Sequence, residues 1–212
     1  MRRCAKGFTL AEIAIVLIII GALLTGVLVT GDSVLARVRI ASLLSSIKDL
    51  ASASQAFKTR YGSYPGDLPN AGTFITANGG VSAACTYAIA GLVGDGLVDT
   101  ATESNCALEH LVKAGLLTKL DFDGTTYSIN PTVANNVRLS LWFNTLTNEN
   151  AVRVSNLPCG IALELEAKFD SATVNTPFNQ GWVTAQDGAG AQIATCVQGG
   201  LNDPVPTVLI KY

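Results

Sequence analysis

The chain has 212 residues, with 14 Lys and Arg against 16 Asp and Glu and a formal net charge of −2. Its few cations are scattered and form no basic patch, which argues against nucleic acid as a partner. Only 14% of residues are charged, and small polar residues are plentiful, a composition that fits an exported protein packed against copies of itself and equally fits many secreted domains.

The chain opens on a short basic leader, residues 1–7, holding Arg2, Arg3 and Lys6. From Ile13 to Thr30 no residue is charged, and 12 of these 18 positions are Ile, Leu or Val. Together they favour membrane insertion by roughly 4–7 kcal/mol, against about 3 kcal/mol at most from Glu12 at the edge of the span. Eighteen helical residues rise roughly 27 Å, close to the hydrocarbon thickness of a bilayer. Residues 8–31 are therefore expected to form a transmembrane half-helix, with the basic leader holding the N-terminus in the cytoplasm. A secretory signal would carry a small-residue cleavage site after the apolar run, whereas here the small residue, Gly7, precedes it.

Lys6-Gly7-Phe8-Thr9-Leu10-Ala11-Glu12, standing directly before this run, resembles the class III signal of type IV prepilins and type II secretion pseudopilins. The resemblance implies cleavage between Gly7 and Phe8 by a prepilin peptidase and N-methylation of Phe8. It also implies an inner-membrane assembly platform, and assembly with copies of itself and other pilins or pseudopilins into a filament. The implied location is the inner membrane, single-pass, with the C-terminal domain periplasmic or in an extracellular filament. Many major pilins have a proline within the membrane helix; none occurs here before Pro65, a departure that leans towards a pseudopilin or minor pilin.

With no proline to break it, the helix is expected to continue through an amphipathic half, residues 32–60. Ile40, Leu43, Leu44, Ile47, Leu50, Ala51, Ser54 and Phe57 follow helical spacing and mark one buried face. A single helix to about Arg60 would be roughly 80 Å long; the alternative is a membrane helix followed by a separate amphipathic one. Gly62 and Pro65 stop it. Residues 61–212 are then read as one exported globular domain.

Within that domain, residues 67–102 read as a long irregular loop. Ser104 or Asn105 is expected to cap a short helix that ends at Gly115 and carries His110 as a surface or partly buried residue. Val137, Leu139, Leu141 and Phe143 alternate with polar positions as in a half-buried strand, with residues 126–129 as its partner. Pro158 opens a further helix with Ile161, Leu165 and Phe169 inward, and residues 181–185 and 207–212 supply more strands, the last expected to close the sheet at its edge. The expected fold class is α+β: a long N-terminal helix packed on a C-terminal antiparallel sheet with short helices and disulfide-stapled loops.

Cys4 leaves with the leader, so the mature chain keeps Cys85, Cys106, Cys159 and Cys196. An even set in an exported chain reads as two disulfides. Three pairings are possible; Cys85–Cys106 and Cys159–Cys196 are preferred because they close the shorter loops. No Cys-x-x-Cys pair occurs and His110 is the sole histidine, which argues against a zinc site.

Catalysis has little to rest on, with no Gly-x-Ser-x-Gly elbow and no repeated metal-ligand pattern, and the chain is read as a non-enzyme. No cofactor is required. Asp95 and Asp99, or Asp121 and Asp123, offer oxygen ligands for calcium; against this, Thr132 stands where an EF-hand begun at Asp121 needs its Glu, and Asp-Gly pairs are ordinary turn residues. Glu12 carries the main functional reading. Cleavage would free an amine at Phe8 one turn away, and in a filament Glu12 would neutralise a neighbour's Phe8 amine and set axial register. The alternatives are a glutamate snorkelling to the headgroups and, for the whole chain, a minor pilin or membrane-anchored adhesin that does not polymerise in bulk.

Overall fold

The computed structural model describes residues 9–86, 93–118, 120–122, 127–131, 133–134, 136–170, 178, 181–193, 196 and 203–212, without the side chains of residues 23–36. Two compact units divide the chain, Met1–Arg39 and Ile40–Tyr212. A single helix, α1, runs from Leu10 to Tyr61. The second unit begins inside it, so the amphipathic segment from Ile40 belongs to the globular body rather than preceding it.

In the second unit, α1 buries Ile40, Leu43, Ile47, Leu50, Ser54 and Phe57, the stripe that the helical spacing marks. Leu44 and Ala51 sit at its margin, packed against the same core. The Ser54 and Tyr212 hydroxyls hydrogen-bond at 2.8 Å, fixing the C-terminus to this helix. Gly62 ends the helix at φ +81°, its N–H donating to Lys58 O. A turn follows at once: Asp67 N–H donates to Tyr64 O across Pro65 and Gly66, the latter at φ +91°, the type II pattern.

Residues 67–86 are less irregular than their composition suggests. They form a one-turn helix, α2 (Ala71–Phe74), and two single 3-10 turns at Ala77–Gly79 and Ala83–Cys85. Next comes α3, Ala101–Lys113. Its N-cap is Thr100, not Ser104 or Asn105: Thr100 Oγ1 accepts from Glu103 N–H while the Glu103 carboxylate accepts from Thr100 N–H. Gly115 closes the helix at φ +74° with the paired backbone bonds of a Schellman motif, Gly115 N–H to Val112 O and Leu116 N–H to Leu111 O.

The main sheet is antiparallel throughout, built from β3 (Arg138–Asn144), β4 (Glu149–Pro158), β5 (Val183–Gln186) and β6 (Pro204–Lys211) in the order β3-β4-β6-β5. Leu139, Leu141 and Phe143 point inward, as their alternation requires. Three expectations are corrected here. Strand β3 pairs with β4, which its sequence did not announce, and residues 127–128 (β2) pair instead with β1 (Asp121–Phe122), leaving a single bridge from Ile129 to Leu139. The last strand lies inside the sheet, between β4 and β5. Pro158 ends β4 and leads directly into α4, Cys159–Phe169, which buries Ala162, Leu165 and Glu166, while Ile161 and Phe169 pack against the same core from its margin, partly buried.

The fold is α+β with two disulfides, Cys85–Cys106 and Cys159–Cys196, closing separations of 21 and 37 residues. These are the preferred neighbouring pairs. In the loop-entropy account each contributes about 3–4 kcal/mol. The first ties a 3-10 turn to α3, and the second ties the start of α4 to the segment after β5.

Candidate functional site

Three local arrangements carry the chemistry that the sequence singled out. The first opens α1. Thr9 precedes the helix, and Glu12 is its third residue. Glu12 Oε2 accepts from Thr9 N–H at 2.8 Å and from Thr9 Oγ1–H at 2.9 Å, while Glu12 N–H donates back to Thr9 Oγ1 at 3.3 Å. This is a reciprocal capping box, so Thr-x-x-Glu at positions 9–12 is a helix start as well as part of a processing motif. Sequence reasoning paired Glu12 with the Phe8 amine; Gly7 and Phe8 lie outside the described residues, and within them the carboxylate is held by Thr9. Beyond Glu12 the surface is greasy on every side. Ile13, Ile15, Val16, Leu17, Ile18, Ile19 and Ile20 are all about half or more exposed. Among the described residues, no helix is long and apolar enough to cross a membrane. Residues 23–30, which complete the apolar run, have no described side chains.

The second arrangement is an acidic cluster that the sequence showed only in part. Asp95 is brought together with Asp67 and Glu103, one oxygen of each lying within 4.8 Å of the others. Asp67 belongs to the turn leaving α1, Asp95 to the Gly94–Gly96 loop, and Glu103 to the first turn of α3. Asp67 accepts from Gly94 N–H and, through Oδ2, from Gly96 N–H at 2.9 Å. Burial pushes the Asp67 carboxyl above its ordinary range against these bonds, with Asp95 adding to the rise. Burial also raises Glu103, opposed by its bonds from Thr100 and Asp99 and reinforced by Asp67. Asp99 is exposed and contributes its backbone N–H to Glu103 at 3.1 Å, with no place for its carboxylate in the cluster. Asp121 is apart from it, accepting from Asn130 Nδ2, and Asp123 lies outside the described residues. The sequence-derived calcium candidates are thus not one set: Asp95 alone joins the cluster.

His110, expected near the surface, is fully buried. Its Nδ1 accepts from Gly66 N–H at 3.0 Å, and Nε2 lies 3.0 Å from Cys85 O, which fixes the neutral tautomer with the proton on Nε2. The ring stacks on Phe57, 6.0 Å between centroids. One side chain therefore joins α1, the Tyr64–Asp67 turn and the first disulfide. Burial holds its pKa below the ordinary value, although Cys85 O and nearby Glu109 pull the other way. A depressed histidine contributes stability that is complete above the unfolded pKa of about 6.5 and declines as pH falls below it. Relative to His110→Gln, which keeps an acceptor and a donor but cannot titrate, the wild type should lose up to about 1.4 kcal/mol per pH unit below pH 6.5. Chemical denaturation of both proteins at pH 5.0, 6.0 and 7.5 measures this difference, and parallel curves would refute it.

Against known families, the model described as the prokaryotic N-terminal methylation motif matches residues 2–28. The chain carries the class III prepilin signal of type IV pilins and pseudopilins. That signal spans the leader, the Gly7-Phe8 junction, the Thr9–Glu12 capping box and most of the uncharged run, so the helix start is built from residues of the signal itself. Such a signal implies a membrane-anchored or exported protein and, in general, processing by prepilin peptidase and assembly with other pilins. The signal ends before Ile40, and the globular unit lies outside it. No curated protein and no solved structure matches the chain.

Proposed function

We propose that this protein is a structural subunit of a type IV pilus-like or type II secretion pseudopilus filament. Prepilin peptidase cuts after Gly7, Phe8 becomes the N-methylated first residue, and residues 8–31 anchor the subunit in the inner membrane until it is extracted into the fibre. The observation that carries this reading is the prepilin signal at residues 2–28. The exposed apolar surface from Ile13 to Ile20 supports it, since a helix apolar all round needs lipid or neighbouring helices to cover it. Head-to-tail packing of such helices builds an open fibre rather than a closed ring. The role is non-catalytic, a reading supported by His110, whose two ring nitrogens are both engaged with backbone groups in the core.

Intact-mass spectrometry of protein extracted from membranes tests the proposal. A chain beginning at Phe8 and carrying one added methyl group is expected. A dominant species that retains Met1, or one that begins after Gly31, would overturn it. A deletion strain scored for both surface fibres and secreted enzymes then separates a pilin, which affects fibres alone, from a pseudopilin, which affects secretion alone.

A further inference from the structure

On the polar face of the main sheet the globular unit holds a cleft of about 500 Å³, within the roughly 300–1,000 Å³ usual for small-ligand sites. Strands β3 and β4 supply most of its lining, and α3 and β2 add the rest. The strand register decides which side chains meet there. Arg138 stands opposite Ser155, and Ser140 stands opposite Arg153. The two arginines are therefore diagonal neighbours on one face, with Cβ atoms roughly 7–8 Å apart or less. Among the described residues no carboxylate lines the cleft, and neither arginine has an ion pair; the pair seen joins Lys211 to Glu149. Arg153 is nevertheless held in place. Its Nε donates to Ser140 Oγ at 2.9 Å, and its Cζ lies 4.3 Å from the centroid of the Trp142 ring. These contacts orient the guanidinium and leave its two terminal nitrogens without an acceptor among the described residues. Arg153 is half-buried, and burial lowers its pKa, which shows a cation kept where its charge is disfavoured. Arg138 is exposed and has no hydrogen bond to any described residue. An oriented, half-buried guanidinium without a counter-ion is unfavourable, and a second cation beside it adds repulsion. One anion set between them would relieve both costs.

We propose that this cleft binds an acidic saccharide, with the sugar carboxylate on Arg138 and Arg153 and the sugar hydroxyls on the surrounding asparagines and serines. A guanidinium presents a planar fork of donors that matches the two oxygens of a carboxylate. Sugar hydroxyls need groups that both donate and accept. Asn105, Asn136 and Ser155 line the cleft with such groups, and their side chains have no hydrogen-bond partner among the described residues. Asn136 and Asn156 sit there in left-handed conformations, at φ +65° and +57°, and Asn156 Nδ2 donates to Asn136 O at 3.3 Å. A lipid chain or an apolar peptide would need greasy walls, but Leu108 and Leu139 are the two aliphatic residues of the described lining. Helix α1 contributes nothing to that lining, so the inference stands whether or not the subunit polymerises.

The test is titration calorimetry on the full chain in detergent with trigalacturonate, a uronic acid trisaccharide, which should bind at one site. Maltotriose has the hydroxyls without the carboxylates, and triglutamate has carboxylates without the sugar; each should bind roughly tenfold or more weakly. Arg138→Gln and Arg153→Gln should each weaken trigalacturonate roughly tenfold or more. Arg153→Lys, which keeps the charge but not the fork, should fall with Arg153→Gln. Lys168→Gln, exposed on α4 outside the described lining, should change nothing. A second readout keeps both arginines intact. Trp182→Phe leaves Trp142 as the sole tryptophan, in contact with Arg153, so its emission should shift as trigalacturonate binds. No binding at concentrations up to about 10 mM would overturn the proposal. Unchanged Trp142 emission at saturation, or binding that survives both arginine-to-glutamine changes, would overturn it by placing the sugar elsewhere. Equal binding of maltotriose would remove the carboxylate from recognition, and equal binding of triglutamate would remove the sugar; either result would overturn it.

Discussion

Replacing Gly66 by alanine should lower the stability of the domain by about 4 kcal/mol, a large share of what a protein of this size has in reserve. Two effects act together. Gly66 holds φ +91°, where an L side chain is strained. An added Cβ would also stand 2.2 Å from the backbone oxygen of Glu103 and 2.9 Å from its carbonyl carbon. These are main-chain atoms of the first turn of α3, so no rotamer change relieves the overlap. The turn or the helix must move, and either movement stretches the bond from Gly66 N–H to His110 and shifts Glu103 within its cluster. Gly62 supplies the control. It has a similar φ, +81°, but nothing lies within 4 Å of its Cβ position, so Gly62→Ala bears only the backbone strain of about 1–2 kcal/mol. Thermal melts of the two variants should separate accordingly, with Tm lowered by about 8–16 °C for Gly66→Ala and about 2–8 °C for Gly62→Ala. Equal shifts would mean that the close approach to α3 contributes nothing.

What the sequence disclosed and what it hid follow a physical divide. Helix α1 was legible because its buried stripe repeats at helical spacing over many residues and Gly62 and Pro65 end it unambiguously. Strand β3 was legible because one of its faces is wet and the alternation survives. Its partner β4 was not: it lies between β3 and β6, and the consecutive buried residues Asn150, Ala151 and Val152 erase the period of two. The start of α3 was misplaced because Ser104 and Asn105 are good caps by type, while Thr100 wins through its partner Glu103 three residues on. His110 and the acidic cluster were out of reach for a different reason. Gly66, Cys85 and His110, or Asp67, Asp95 and Glu103, meet only after the Tyr64–Asp67 turn folds back onto α3. No spacing in the chain encodes that return.

Glu12→Gln should leave the subunit inserted and cleaved yet cut filament yield roughly tenfold or more, the consequence of breaking a charge pair in an apolar bundle. The capping box makes this variant more telling than a leucine. Glutamine at the third helical position can still accept from Thr9 N–H, so the helix start survives and only the negative charge is lost. Glu12→Leu removes cap and charge together. Thr9→Ala does the reverse of Glu12→Gln, weakening the cap by about 1 kcal/mol while keeping the carboxylate. If Glu12 serves assembly by neutralising the Phe8 amine of the next subunit, filament yield should follow charge: Thr9→Ala near wild type, Glu12→Gln and Glu12→Leu both low. If Glu12 serves only to start its own helix, yield should follow the cap, with Glu12→Gln near wild type and Thr9→Ala impaired. Insertion cannot explain a loss in either glutamate variant, because removing a charge from the edge of an apolar run only favours the membrane. Sedimentable filament measured against membrane-bound monomer, in the native host with full-length chains, decides between the two orders. Normal yield from Glu12→Gln would end the charge-pairing account.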